Sequence, residues 1–330
     1  MRYHQLLDRF RVRRTAGRFK HLASVILLLA IGSPALADHP PTQVQNGYAN
    51  ITDHQMMDWL PRTQPTARLR YADDSPLQFG DLRIPAKAPP PAGYPVVIFL
   101  HGGGWMSDWN KDYSDALVEN LSRQGYATWS IEYRRLRNSG GGFPGTYLDV
   151  SRAADFVATL SKKYRLDLGR VTAVGHSAGG HLALWLAGRS HIPPASAIAP
   201  SRPPIHLRGV VVVASVSSLE DALEKSGRRS TLSILGVTTL EEARLRYAEA
   251  SPDSLLPLDG RLRVIDGSKD AEWRIASNTR FAERAKAAGN DVGRVILQGA
   301  NHFDVVAPSG PAFAAILQAV NEIDGGKPGR

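Results

Sequence analysis

From Val96 onward the chain alternates short, wholly apolar runs with longer amphipathic ones, and few architectures accept that pattern. "VVIFL", "YATWSIEY", "VTAVG", "LRGVVVVAS", "LRVIDG" and "VGRVILQ" read as strands. "KDYSDALVENLSRQG", "YLDVSRAADFVATLSKKY", "AGGHLALWLAG", "SNTRFAERAKAAG" and "PAFAAILQAVNEI" read as helices. Strands with no polar face must be buried on both sides, which requires a mostly parallel sheet covered by helices on both faces. Ahead of this region "ARLRYADD" and "LQFGDLRIP" read as an antiparallel pair, followed by the Pro-rich spacer "AKAPPPAGYP". Two pieces interrupt the alternation, at about residues 190–207 and 219–258, the second with a helical pattern of its own. Insertions between the strands of such a sheet lie over the strand ends and shape a pocket. The expectation is therefore one α/β domain over residues 68–330 with a small helical cap.

The net charge of +9 resembles a nucleic-acid or membrane signal until it is located. Seven Arg and Lys residues against Asp8 give residues 1–37 a charge of +6, leaving only +3 for the rest. That basic opening runs into "LASVILLLAIG" and then "SPALA", where Ala35 and Ala37 are small residues suited to a cleavage site. A charged start, an apolar run too short to span a bilayer and an AxA-like site describe a secretory signal peptide over residues 1–37. Sec-type export to the periplasm or the medium is expected, with cleavage after Ala37 and no membrane span thereafter. Residues 38–67 are polar and turn-rich and read as an N-terminal surface segment. Nucleic acid is not an expected partner, because no stacking motif accompanies the remaining charge; "SGRRS" and "EARLR" read as solvated faces of the cap. The chain has no cysteine, which excludes thiol catalysis, disulfides and thiolate metal sites. None of the ten histidines falls in a metal-ligand spacing, so neither a metal nor another cofactor is expected.

Chemistry concentrates at "VTAVGHSAGGHLALWLAGR", where a predicted strand meets a predicted helix. Within it Gly175, His176, Ser177, Ala178 and Gly179 form GxSxG, a turn so tight that the serine hydroxyl is pushed into a cleft. The turn also aims the Ala178 amide and the positive end of the helix at any negative charge forming beside Ser177. A second glycine run, "FLHGGGW", follows the first buried strand. Consecutive glycines let backbone amides approach an oxyanion closely, so the expected oxyanion hole is Gly103, Gly104 and Ala178, with His101 bracing the loop.

A serine hydroxyl needs an imidazole to take its proton, and the imidazole needs a carboxylate to orient it. "LQGANHFDVV" places His302 in a loop after the last strand, whereas His181 lies in a helix body and His191 and His206 flank the cap. His302 is the expected base. For the carboxylate, "LRVIDGSKDAEW" offers Asp270, three residues after Gly267, with Asp266 at the strand end and Glu272 further on as alternatives. Asp270 is preferred because its position lets it turn back toward the histidine.

Together "HGGGW", "EYRR", "GGGFPG", "GHSAGGHLALW" and "GANHF" resemble the α/β-hydrolase superfamily, in its carboxylesterase, hormone-sensitive-lipase-like and kynurenine-formamidase-like branches. The resemblance covers roughly Arg68 to the C-terminus and implies an α/β-hydrolase fold with nucleophile Ser177, acid Asp270 and base His302. It also implies that Tyr133 and the "GGGFPG" loop, with Phe143, lie near the cleft. Many relatives carry HGxxD before the acid, where this chain has Asp266 in place of the histidine.

These readings imply a serine hydrolase of small or medium carboxylic esters, acting through an acyl-enzyme on Ser177. An aryl formamidase, amidase or short-peptide hydrolase of the same fold is the alternative, and a non-catalytic ligand-binding relative a further one. Trp105, Trp109 and Phe143 fit either an aromatic-lined substrate pocket or buried packing.

Overall fold

The computed structural model describes residues 48, 50–58 and 62–325. The predicted signal peptide falls outside these residues. Eight strands form one sheet: β1 (Ala67–Arg70), β2 (Phe79–Arg83), β3 (Tyr94–Leu100), β4 (Ala127–Ile131), β5 (Leu166–His176), β6 (Gly209–Val213), β7 (Arg261–Gly267) and β8 (Val292–Leu297). Their spatial order is β1-β2-β4-β3-β5-β6-β7-β8. β1 with β2 and β2 with β4 are antiparallel, and every other pair is parallel.

The helices are α1 (Asp53–Asp58), α2 (Asp115–Arg123), α3 (Gly145–Tyr164), α4 (Ala178–Ala187), α5 (Ser230–Ile234), α6 (Leu240–Ala250), α7 (Glu272–Ala287) and α8 (Gly310–Asp324). β3 is buried along its whole length and explains the layering. Val96, Ile98 and Leu100 face a core shared with α3, α4 and Phe281 of α7, while Val97 and Phe99 face a second core with α2 and α8. Alternate residues of one strand thus supply both faces, which is why the run is unbroken in hydrophobicity.

The N-terminal segment departs from a purely surface path. Tyr48 and Met56 are buried in the second core, which also holds Val305 and Val306, because burying an aromatic and a thioether side chain is favourable. Residues 190–207 are mostly irregular, whereas 219–258 hold a π-turn at Asp221–Lys225, α5 and α6. Helix α6 starts at a capping box: the Thr239 hydroxyl accepts from the Glu242 N–H, and the Glu242 carboxylate accepts from the Thr239 N–H. Among the described residues no helix is long and apolar enough to cross a membrane.

Candidate active site

Ser177 joins β5 to α4 with φ 54° and ψ −118°, a backbone that a residue bearing a Cβ rarely adopts. The flanking glycines are required by close approach. A Cβ on Gly175 would lie 2.3 Å from the Gly179 carbonyl oxygen, and one on Gly179 would lie 2.2 Å from that of Leu100. The corner is thereby pressed against the end of β3, and the serine, though mostly buried, borders a cleft.

His302, in the loop after β8, places Nε2 3.1 Å from Ser177 Oγ and Nδ1 2.7 Å from Asp270 Oδ2. Asp270 is carried back by a turn in which its N–H donates to the Gly267 carbonyl. Its carboxylate also accepts from the Ala271 N–H and, through both oxygens, from Arg274 Nε. Burial alone would raise the Asp270 pKa, but His302, Arg274 and the Ala271 amide together bring it below the ordinary carboxylate value. Burial lowers the His302 pKa, as do Arg274 and Arg228, against the opposing pull of Asp270. The imidazole is therefore neutral at neutral pH and able to accept a proton.

The two other carboxylates considered for this role lie elsewhere. Asp266 is buried against Asn278 Nδ2 and Arg294, and burial raises its pKa. Glu272 is exposed at the first turn of α7.

Gly103 and Gly104 adopt φ of 105° and 61° and border the cleft with Ser177. The Gly102 amide donates to Tyr113 Oη, whereas among the described residues the amides of Gly103, Gly104 and Ala178 meet no acceptor. Three unpartnered donors beside a nucleophile can stabilise an oxyanion. His101 lies between the Glu132 carboxylate and the Gly102 carbonyl and stacks on Tyr133, so it braces this loop.

The cleft has a volume of about 330 Å³. A larger depression of about 720 Å³, lined by residues such as Arg83 and Glu119, contains none of the triad, so volume alone does not locate the chemistry.

The aromatic residues expected at the cleft divide. Trp109 lines it and stacks on Phe303. Trp105 does not: its ring is fully buried because the indole N–H finds its acceptor inward, at His181 Nδ1. Tyr133 is also buried, its hydroxyl donating to the His101 carbonyl. Phe143 packs between Tyr147 and the Arg246 guanidinium, away from the cleft lining. "SGRRS" is not merely a solvated face, since Arg228 and Ser230 border the cleft.

Sequence reasoning missed a buried relay. The Tyr113 hydroxyl accepts from Gly102 N–H and lies 2.8 Å from His176 Nδ1, while His176 Nε2 lies 3.0 Å from the His302 carbonyl oxygen. With the hydroxyl donating to Nδ1 and Nε2–H to the carbonyl, His176 is neutral, and burial holds its pKa well below the usual histidine value. The relay ties the oxyanion loop to the base loop. Its one visible trace in the sequence is the histidine preceding Ser177. Arg274 was likewise unforeseen, four residues beyond the acid. Among the described residues no three His, Asp or Glu side chains are grouped to hold a metal ion.

A mostly parallel sheet with a serine at the tight corner after β5, a carboxylate and a histidine after β7 and β8 that form a hydrogen-bonded path to it, and a glycine loop after β3 is the arrangement of the α/β-hydrolase superfamily. Within it, the chain belongs to the BD-FAE family, whose model matches residues 81–283. Among curated proteins it is similar to the esterase LipC of Mycobacterium tuberculosis, 28% identical over 264 residues, which are 78% of this chain and 64% of LipC. A shorter stretch of 94 residues is 38% identical to neutral cholesterol ester hydrolase 1 of Mus musculus, covering 27% of this chain and 22% of the mouse protein. The chain thus spans less than two-thirds of the length of these relatives. The same fold occurs in a truncated carbohydrate esterase from gut microbiota, with a TM-score of 0.67 at 19% identity, covering 80% of this chain and 97% of that one. It occurs also in esterase B from Lactobacillus rhamnosis, with a TM-score of 0.66 at 20% identity over 80% of this chain and 88% of the other.

Proposed function

We propose that this protein hydrolyses small or medium carboxylic esters through an acyl-enzyme formed on Ser177. The observation that carries this reading is the continuous path from Ser177 Oγ through His302 to Asp270, set beside three unpartnered amides. Ser177 attacks the ester carbonyl as His302 Nε2 takes its proton, and the amides of Gly103, Gly104 and Ala178 receive the oxyanion. Asp270 holds the imidazole in its tautomer and stabilises the imidazolium. His302 then gives the proton to the leaving alkoxide, and water repeats the sequence to release the acid. A cleft of about 330 Å³ sits at the small end of ligand sites, in keeping with a short ester. The names of LipC and the mouse hydrolase, both ester-cleaving, support the same reading.

The basic, then apolar, opening of the chain supports export, with residues from Asp38 onward as the mature protein.

The test compares initial rates on p-nitrophenyl butyrate and N-formylkynurenine, with Ser177→Ala as the blank. We expect a rate on the butyrate that falls on the order of 10⁶-fold in the variant, and little on the formamide. A dominant formamide rate would transfer the assignment to a formamidase.

A further inference from the structure

We propose that the cleft beside Ser177 selects esters carrying a carboxylate, held by Arg228 and Arg274. The inference rests on the esterase reading for its chemistry but on separate residues for its selectivity. Among the described residues two arginines border the cleft and no acidic side chain does. Arg274 is 4% exposed; its Nε is engaged by Asp270, and its buried Nη1 has no hydrogen-bond partner among the described residues. The Arg274 charge is met by one hydrogen-bonded carboxylate, Asp270, which also serves His302, so an anion entering the cleft beside that guanidinium would be stabilised.

Arg228 comes from the insertion between β6 and β7 and is exposed. Among the described residues its guanidinium meets no acceptor, although nearby arginines such as Arg280 and Arg284 are paired with Asp221 and Asp253. Its Nη1 reaches to 3.5 Å from where a Cβ on Gly104 would stand, so its charge lies at the rim of the oxyanion loop. Both guanidinia lie over the Trp273 ring, at 4.7 Å from its centroid for Arg274 and 6.0 Å for Arg228. One indole thus collects two like charges next to the nucleophile. A carboxylate is the planar acceptor that a guanidinium fork fits, and its arrival would offset their mutual repulsion.

The experiment uses pairs that differ in charge but hardly in shape. Monoethyl glutarate against ethyl glutaramate places the carboxylate or carboxamide on the acyl side. Acetoxyacetate against acetoxyacetamide places it on the alcohol side. Hydrolysis is followed for the wild type, and binding of all four compounds to Ser177→Ala is followed by calorimetry, so that selectivity is measured with or without turnover. In at least one pair the anionic member should bind about tenfold tighter, as expected for one charge-assisted contact. The preference should shrink toward unity in Ser177→Ala/Arg228→Gln, persist in part in Ser177→Ala/Arg228→Lys, and weaken at high salt. Neutral members bound as well as the anionic ones in both pairs would overturn the proposal. So would a preference unchanged by Arg228→Gln, or an Arg228→Gln loss equal for both members, which would mean that Arg228 contacts a group the two members share. Binding preference without any hydrolysis would sink the esterase reading and leave the anion site standing; hydrolysis without preference would do the reverse.

Discussion

At the scale of residues, the site is a competition among charges around one imidazole. Burial makes the charged form of His302 unfavourable, and Arg274 and Arg228 add like-charge repulsion, while Asp270 favours the imidazolium. The outcome is a base whose pKa lies below the ordinary histidine value of about 6.5. Since only neutral His302 can take the serine proton, kcat/KM should rise with pH through a midpoint below 6.5 and stay flat through neutrality. Removing a positive neighbour favours the imidazolium, so Arg228→Gln should move that midpoint upward. A pH–rate profile on a neutral ester reads both effects. A wild-type midpoint above 6.5, or a downward shift in the variant, would mean that the balance has been misassigned.

At the scale of elements, the decisive piece is the corner between β5 and α4. Its tightness depends on atoms that cannot move aside: a Cβ on Gly179 would meet the backbone oxygens of Leu100 and His101 at 2.2 and 2.3 Å. Gly179→Ala should therefore cost about 3 kcal/mol, the upper end for overpacking. Gly293 of β8 is also crowded, but by the flexible Arg263 side chain at 2.7 Å, so Gly293→Ala should cost under about 1 kcal/mol. Urea unfolding midpoints of the two variants would rank them, and equal shifts would contradict the account. These elements were largely legible in the sequence, because period and glycine placement are local: the antiparallel pair of β1 and β2, the six strands from β3 to β8 and the helices α2, α3, α4, α7 and α8 follow from them. Side-chain direction was not legible. Trp105 and Tyr133 stand in loops beside the site, yet each turns inward to satisfy one polar atom at His181 and at the His101 carbonyl. Only the folded neighbours decide that.

At the scale of the whole molecule, the sheet order brings distant segments to one end. The ends of β3, β5, β7 and β8 supply the oxyanion loop, Ser177, Asp270 and His302, and the insertion after β6 adds Arg228. The base loop is further fastened from far away in sequence. Asp304 accepts from the Ile51 N–H, and Asn301 Nδ2 donates to the Ile51 carbonyl, so residues next to α1 hold the loop that carries His302. Neither this clasp nor the Tyr113–His176 relay could be read from the sequence, since no local pattern links positions separated by 253 or 63 residues. The hydrogen-bonded arrangement of Ser177, His302 and Asp270 was legible because chain order and strand ends restrict it to few candidates; Arg228 was not, because a basic run looks the same on a solvated face and at a cleft.

The central claim is that this assembly makes Ser177 a nucleophile. The most direct measurement is intact-protein mass spectrometry with peptide mapping after exposure to a fluorophosphonate. The account predicts a single phosphonyl adduct on Ser177, formed much more slowly in His302→Ala and absent in Ser177→Ala. An unmodified wild-type protein, or an adduct on any other residue, would contradict it.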